Sequence, residues 1–175
     1  MKKWFSIVLI CSLCVIVAFQ FIKSDKSVNN TAQSLNSQLS SKSVANFTLE
    51  NLSDHTDVSL YDFIGKPVIL SFWASWCKPC QTELIEVEKF ADNNPHIQLL
   101  AINITAKDSV KDVKAFVNKH ALDFTVLLDN DGEISKRFGA FTIPTTIVLN
   151  EKLEIEHEVY GPIDGNYLNN IFSEG

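Results

Sequence analysis

The first 22 residues are dominated by one apolar run. Trp4 to Ile22 (WFSIVLICSLCVIVAFQFI) is 19 residues without a charge, with Lys2 and Lys3 before it and Lys23 and Lys26 after it. A run of this length suffices to cross a bilayer as one helix. Over residues 23–45 the pattern inverts. Ser, Asn and Gln dominate and large apolar residues nearly vanish, so the segment reads as a flexible polar tether. Residues 46–175 then take on the patterning of one folded domain.

Within that domain, Asn46 to Glu50 and Asp57 to Leu60 alternate around a polar stretch and predict a β-hairpin. Ser59 is placed to cap a short helical turn that Gly65 ends. Pro67 to Trp73 is an apolar run suited to a central parallel strand covered on both faces. Leu84, Val87 and Phe90 fall at helical spacing in a helix from Lys78 to Ala91, which Asn93-Asn94-Pro95 terminates. Ile97 to Ile104 predicts a second buried strand, and Ser109 to Lys119 a helix with Val110, Val113, Phe116 and Val117 on one stripe. A strand at Phe124 to Leu128, a turn, a short helix at Glu133 to Phe138, strands at Thr146 to Leu149 and Leu153 to Tyr160, and a helix at Gly165 to Phe172 complete the chain. Strands alternating with helices and closed by a hairpin and helix predict an α/β fold with a mixed central sheet flanked by helices.

Charge follows the same boundaries. Residues 1–45 carry five Lys and one Asp, a net of +4, so residues 46–175 carry −10 to reach the −6 of the whole chain. So acidic a domain argues against nucleic acid and against peripheral binding to anionic lipid. For residues 1–22 a cleaved secretory signal peptide competes with an uncleaved anchor. Signal peptides have a shorter apolar core and a small-x-small cleavage site, which the residues up to Ile22 do not supply. Either reading exports the domain, and the short tail Met1-Lys2-Lys3 favours an orientation with the domain outside the cytoplasm. Cys11 and Cys14 share the apolar run, where a thiol behaves as a small apolar group.

The chemistry lies in Trp76-Cys77-Lys78-Pro79-Cys80, between a predicted buried strand and a predicted helix. Two intervening residues put both sulfurs within one helical turn, close enough for a small disulfide. Cys77 sits where unpaired N–H groups and the helix dipole stabilise a thiolate, making it the expected nucleophile, with Cys80 acting second. Zinc sites share this spacing but need four ligands, and the domain has no second CxxC and no HxxxH; His55, His96, His120 and His157 are scattered. Lys78, between the cysteines, would favour the thiolate. Trp73 and Trp76 are expected to pack around the site and exclude water. Glu83, three residues after Cys80, lies beside that sulfur on the helix.

Phe72-Trp-Ala-Ser-Trp-Cys-Lys-Pro-Cys80 resembles the active-site stretch of thioredoxin-fold proteins, and Phe141-Thr-Ile-Pro-Thr-Thr146 is similar to their cis-proline loop. The spacing between them, with an additional strand and helix near residues 97–120, resembles the TlpA/ResA-like membrane-tethered thiol-disulfide oxidoreductases. The resemblance implies a thioredoxin-like fold over about residues 46–172, with an N-terminal hairpin extension and a central strand-helix insertion. It implies that Pro144 is cis and lies against the CxxC, with Ile143 offering backbone groups to a substrate beside Cys77 and Trp76. It also implies that Glu83 tunes the cysteines and carries protons. Ser71 departs from thioredoxin, which has a buried aspartate there, and serine cannot accept a proton at neutral pH.

The same resemblance implies a reductase of substrate-protein disulfides, the CxxCH disulfide of apocytochrome c being one such substrate, recharged by a membrane-embedded thiol donor. Nothing in the chain calls for a cofactor. A disulfide-introducing oxidase uses the same residues, and the direction is not written in the sequence. A peroxidase fits less well, because related peroxidases place Pro-x-x-x-Thr-x-x before their reactive cysteine. A copper carrier on the same fold would use CxxxC and a distant histidine, for which His157 is the available residue.

Overall fold

The structure, a computed structural model, describes residues 43–173. The anchor or signal peptide read at residues 1–22, Cys11 and Cys14 within it, and the tether over residues 23–42 lie outside the described residues. Among the described residues no helix is long and apolar enough to cross a membrane.

Seven strands form one sheet: β1 (Thr48–Asn51), β2 (Asp57–Ser59), β3 (Val68–Trp73), β4 (Gln98–Asn103), β5 (Thr125–Leu128), β6 (Thr145–Leu149) and β7 (Ile155–Tyr160). Among the described residues four α-helices accompany them: α1 (Lys78–Asn93), α2 (Val110–His120), α3 (Glu133–Arg137) and α4 (Gly165–Ser173). The strand order is β2-β1-β5-β4-β3-β6-β7. β3, β4 and β5 run parallel, whereas β6 and β7 on one side and β1 and β2 on the other are antiparallel to their neighbours. The expected mixed sheet flanked by helices is therefore present. The N-terminal hairpin is not a separate flap: Glu50 pairs with Leu128, which makes it an extension of the central sheet.

β3 occupies an interior position, and all six of its residues are buried. Side chains alternate along a strand, so its two faces serve different layers. Val68, Leu70 and Phe72 join Phe47, Leu100, Ile102, Leu127, Ile134 and Phe138 in one core, where the rings of Phe72 and Phe138 lie 5.6 Å apart. Ile69, Ser71 and Trp73 face the α1 layer. There Leu84 packs with Trp73 and the cysteines, and Val87 and Phe90 pack with Ile69 and Leu168 of α4. Burial of each large apolar side chain contributes about 1.5–3 kcal/mol, so the Leu84, Val87 and Phe90 stripe is sufficient to seat α1.

Local signals end the elements where the sequence places them. Ser59 accepts the Tyr61 N–H while Asp62 accepts the Ser59 N–H, a capping box on the turn Leu60–Phe63. Gly65 follows at φ 94°, a conformation open to glycine at little cost, and donates its N–H to Glu151 O at 2.8 Å. Buried Asp129 braces the start of α3, its two carboxylate oxygens accepting the N–H groups of Ile134 (3.2 Å) and Ser135 (2.8 Å). Ser43 and Val44, which composition assigns to the polar tether, pair with the sheet end instead: Ser43 bridges Glu154, and Val44 N–H donates to Leu153 O at 2.9 Å.

Candidate active site

β3 ends at Trp73 and α1 begins at Lys78, so the CxxC lies where a central strand delivers the chain to a helix N-terminus. Cys77 is the N-cap residue, and the Cys80 N–H points at its sulfur, 3.3 Å away. The sulfurs are joined in a disulfide of 2.05 Å, with Cα atoms 5.3 Å apart. Cys77 keeps 6% of its surface and Cys80 none, the asymmetry expected of a first and a second thiol. Lys78 is exposed at the first helical position.

Across from this turn runs the loop before β6. Ile143–Pro144 is a cis peptide bond, and Ile143 O lies 3.9 Å from Cys77 Sγ. A disulfide sulfur carries no hydrogen, so this contact becomes an S–H···O bond only in the thiol form. The loop is fastened on both sides: the Thr145 hydroxyl donates to Thr142 O at 2.7 Å, and Gly161 N–H at the end of β7 donates to Pro144 O at 2.9 Å. Phe141, three residues before Pro144, is 75% exposed.

The two tryptophans behave differently from one another. Trp73 is fully buried, 5.3 Å from the ring of Phe116, and its indole N–H has no partner among the described residues. Trp76 is 60% exposed, and its indole N–H donates to Lys107 O at 2.9 Å.

Glu83 is 1% exposed, on the α1 face that meets β3. Its Oε1 accepts the hydroxyls of Ser71 (3.3 Å) and Thr146 (2.9 Å), and its Oε2 accepts the Ile163 N–H (2.9 Å). Burial pushes the carboxyl above its ordinary value of 4.5, although all three donors pull the other way. The serine that stands where thioredoxin has an acid thus touches the acid that α1 supplies. None of the three bonds reaches a sulfur.

Three partners of the site carry no signal that sequence reading detected. Thr146 and Ile163 come together with Glu83 only through the order of strands. Asp108 holds the turn before Cys77 from the loop after β4, accepting from Ser75. His157 lies on β7 opposite Val148, and among the described residues no three His, Cys, Asp or Glu side chains are grouped to hold a metal ion.

Residues 41–158 match the AhpC/TSA family. The chain is 37% identical over 107 residues to Sporulation thiol-disulfide oxidoreductase A of Bacillus subtilis (strain 168), covering 59% of this chain and 65% of that protein, slightly under two thirds of its length. It is 32% identical over 120 residues to Thiol-disulfide oxidoreductase ResA of Bacillus thuringiensis subsp. konkukian, covering 69% of each. The crystal structure of StoA from Bacillus subtilis superposes with a TM-score of 0.64 at 34% identity, over 72% of this chain and 95% of that one. By its sequence match, its mixed sheet and its strand-CxxC-helix turn, the chain belongs to the AhpC/TSA family and to the ResA-like thiol-disulfide oxidoreductases within its reach.

Proposed function

We propose that the protein is an extracytoplasmic, membrane-anchored thiol-disulfide oxidoreductase that reduces disulfides in substrate proteins. The observation that carries this reading is the placement of Cys77: a helix N-cap, a backbone N–H aimed at its sulfur, and Ile143 O 3.9 Å away. An N–H and a helix dipole directed at a sulfur favour the thiolate.

In the reductive direction the Cys77 thiolate attacks one sulfur of a substrate disulfide, and the other substrate sulfur leaves as a thiolate that takes a proton. Cys80 then gives up its proton and attacks Cys77 Sγ. The second substrate sulfur leaves, and the two electrons have passed from the domain to the substrate. Glu83, buried on the same helix with a raised pKa, is the proton acceptor for Cys80, reached through a water or a side-chain rotation since its present bonds go elsewhere. Ile143, Pro144 and Trp76 form the substrate-facing rim. The resulting disulfide is reduced again by a membrane-embedded thiol donor, and oxidised apocytochrome c is a substrate of fitting chemistry.

Equilibration of the full-length protein against glutathione and dithiothreitol buffers measures the potential of the Cys77–Cys80 couple. A value near or below about −250 mV supports the reductase, whereas one near about −120 mV makes the protein a disulfide donor and overturns the direction.

A further inference from the structure

Four residues, Ala74 to Cys77, join β3 to α1, and none belongs to a helix or strand. The bonds this turn makes with its own neighbourhood are short-range: Cys77 N–H donates to Ala74 O at 3.0 Å, and Gln81 Nε2 donates to Ser75 O at 2.5 Å. Bonds of this kind fix the shape of the turn but not its seat on the end of the strand. It is held from outside by Asp108, in the loop between β4 and α2.

One oxygen of Asp108 accepts the Ser75 N–H at 2.5 Å and the other accepts the Ser75 hydroxyl at 2.6 Å. Asn103 Nδ2 donates to the first oxygen at 2.9 Å, and Ser109 N–H donates to the second at 2.8 Å. Asn103 is fully buried at the end of β4, in register beside Trp73, and its own oxygen takes the Thr105 hydroxyl at 3.0 Å. The hold is thus rooted in the central sheet. One residue before Asp108, Lys107 O takes the Trp76 indole N–H, so two consecutive residues of the turn are tied to two consecutive residues of the neighbouring loop. Against partial burial, which pushes its pKa up, the Ser75 hydroxyl and N–H, Asn103 and Ser109 keep the Asp108 carboxyl below the usual carboxylate range.

Resting on the oxidoreductase reading above, we propose that Asp108 is a positioning residue of the CxxC: by fixing Ser75 it seats Cys77 at the α1 N-cap and sustains its thiolate. Without that hold the turn relaxes, Sγ leaves the line of the Cys80 N–H, and the thiolate loses the helix terminus that stabilises it.

The test is the pH profile of Cys77 alkylation by iodoacetamide in the reduced full-length protein, for wild type, Asp108→Ala, Asp108→Asn and Ser75→Ala. Asparagine keeps one oxygen for the Ser75 N–H and the Asn103 amide and an amide that donates to the Ser75 hydroxyl, and gives up only the bond from the Ser109 N–H. Asp108→Ala is expected to move the midpoint upward, slowing alkylation on its rising limb by on the order of tenfold per unit moved, while Asp108→Asn stays within about twofold of wild type. Ser75→Ala removes the hydroxyl bond alone and should move the midpoint the same way by less, which keeps the test available if Asp108→Ala does not fold. The proposal is overturned if the alanine profiles overlay wild type, or if Asp108→Asn moves as far as Asp108→Ala. A wild-type profile in which Cys77 is no more acidic than an ordinary thiol overturns instead the nucleophile assignment, and shows itself before any variant is compared.

Discussion

Replacing Glu83 by glutamine separates the charge of the buried carboxyl from its shape. One oxygen accepts the Ile163 N–H, and the other accepts the hydroxyls of Ser71 and Thr146. Glutamine can keep all three contacts, with its carbonyl facing Ile163 and its amide donating to two hydroxyl oxygens that accept as readily as they donate. What it removes is a desolvated charge. Burial raises the Glu83 pKa above 4.5, so above that value the native state retains a proton the unfolded chain has lost. The stability contributed by protonated Glu83 is therefore whole below the unfolded pKa and is lost as pH rises through the folded one. Glutamine does not titrate. Glu83→Gln should lie within about 1 kcal/mol of wild type at about pH 4, then gain on it by about 1.4 kcal/mol per pH unit until the folded pKa is passed. Glu83→Ala is the contrast: it leaves a void and an orphaned Ile163 N–H, and should be roughly 3–5 kcal/mol less stable throughout. Urea unfolding of the oxidised protein, followed by tryptophan fluorescence over a pH series, measures both. A Glu83→Gln difference that is flat with pH, or that turns against the variant as pH rises, would refute the reasoning.

Thr146→Val deletes one donor to the carboxylate at nearly constant volume. It should raise the Glu83 pKa further and cost about 1–2 kcal/mol at high pH but less in acid, measured by the same urea series; an unchanged pH midpoint would count against the bond. Asp129→Ala takes the acceptor from the Ile134 and Ser135 N–H groups and should lower stability by about 2 kcal/mol, with an unchanged unfolding midpoint as the contrary result.

The elements were legible where one physical signal dominated. β3 announced itself as an apolar run, and α1 by Leu84, Val87 and Phe90, because burial on both faces or along one stripe leaves little choice of residue. Glu83 was singled out by its distance from Cys80, and Ser71 by its departure from the thioredoxin pattern. That they touch follows from strand alternation, which puts Ser71 on the same face as Trp73, toward α1. Asp108 was not legible. An Asp-Ser pair before a helix reads as an ordinary cap, yet Ser109 makes no side-chain cap bond and Asp108 serves a turn 33 residues away. The Trp76 bond was not legible either, because apolar character says nothing of an indole N–H that donates to a carbonyl on another loop. Strand order was beyond reach for a similar reason: a short alternating hairpin does not declare that Glu50 will pair with Leu128.

An open sheet of seven strands ends in two rims that carry no further strand among the described residues, and the one formed by β7 is as long as the buried strands β3 and β4. Such a rim offers free backbone groups to any passing strand, a second copy of the same chain included. Here Glu156 and Glu158 stand exposed along it, with Glu154 just before it, so a second copy laid against β7 brings carboxylates toward carboxylates. The acidity that argues against nucleic-acid binding thus also protects the molecule from stacking into fibres through its own sheet.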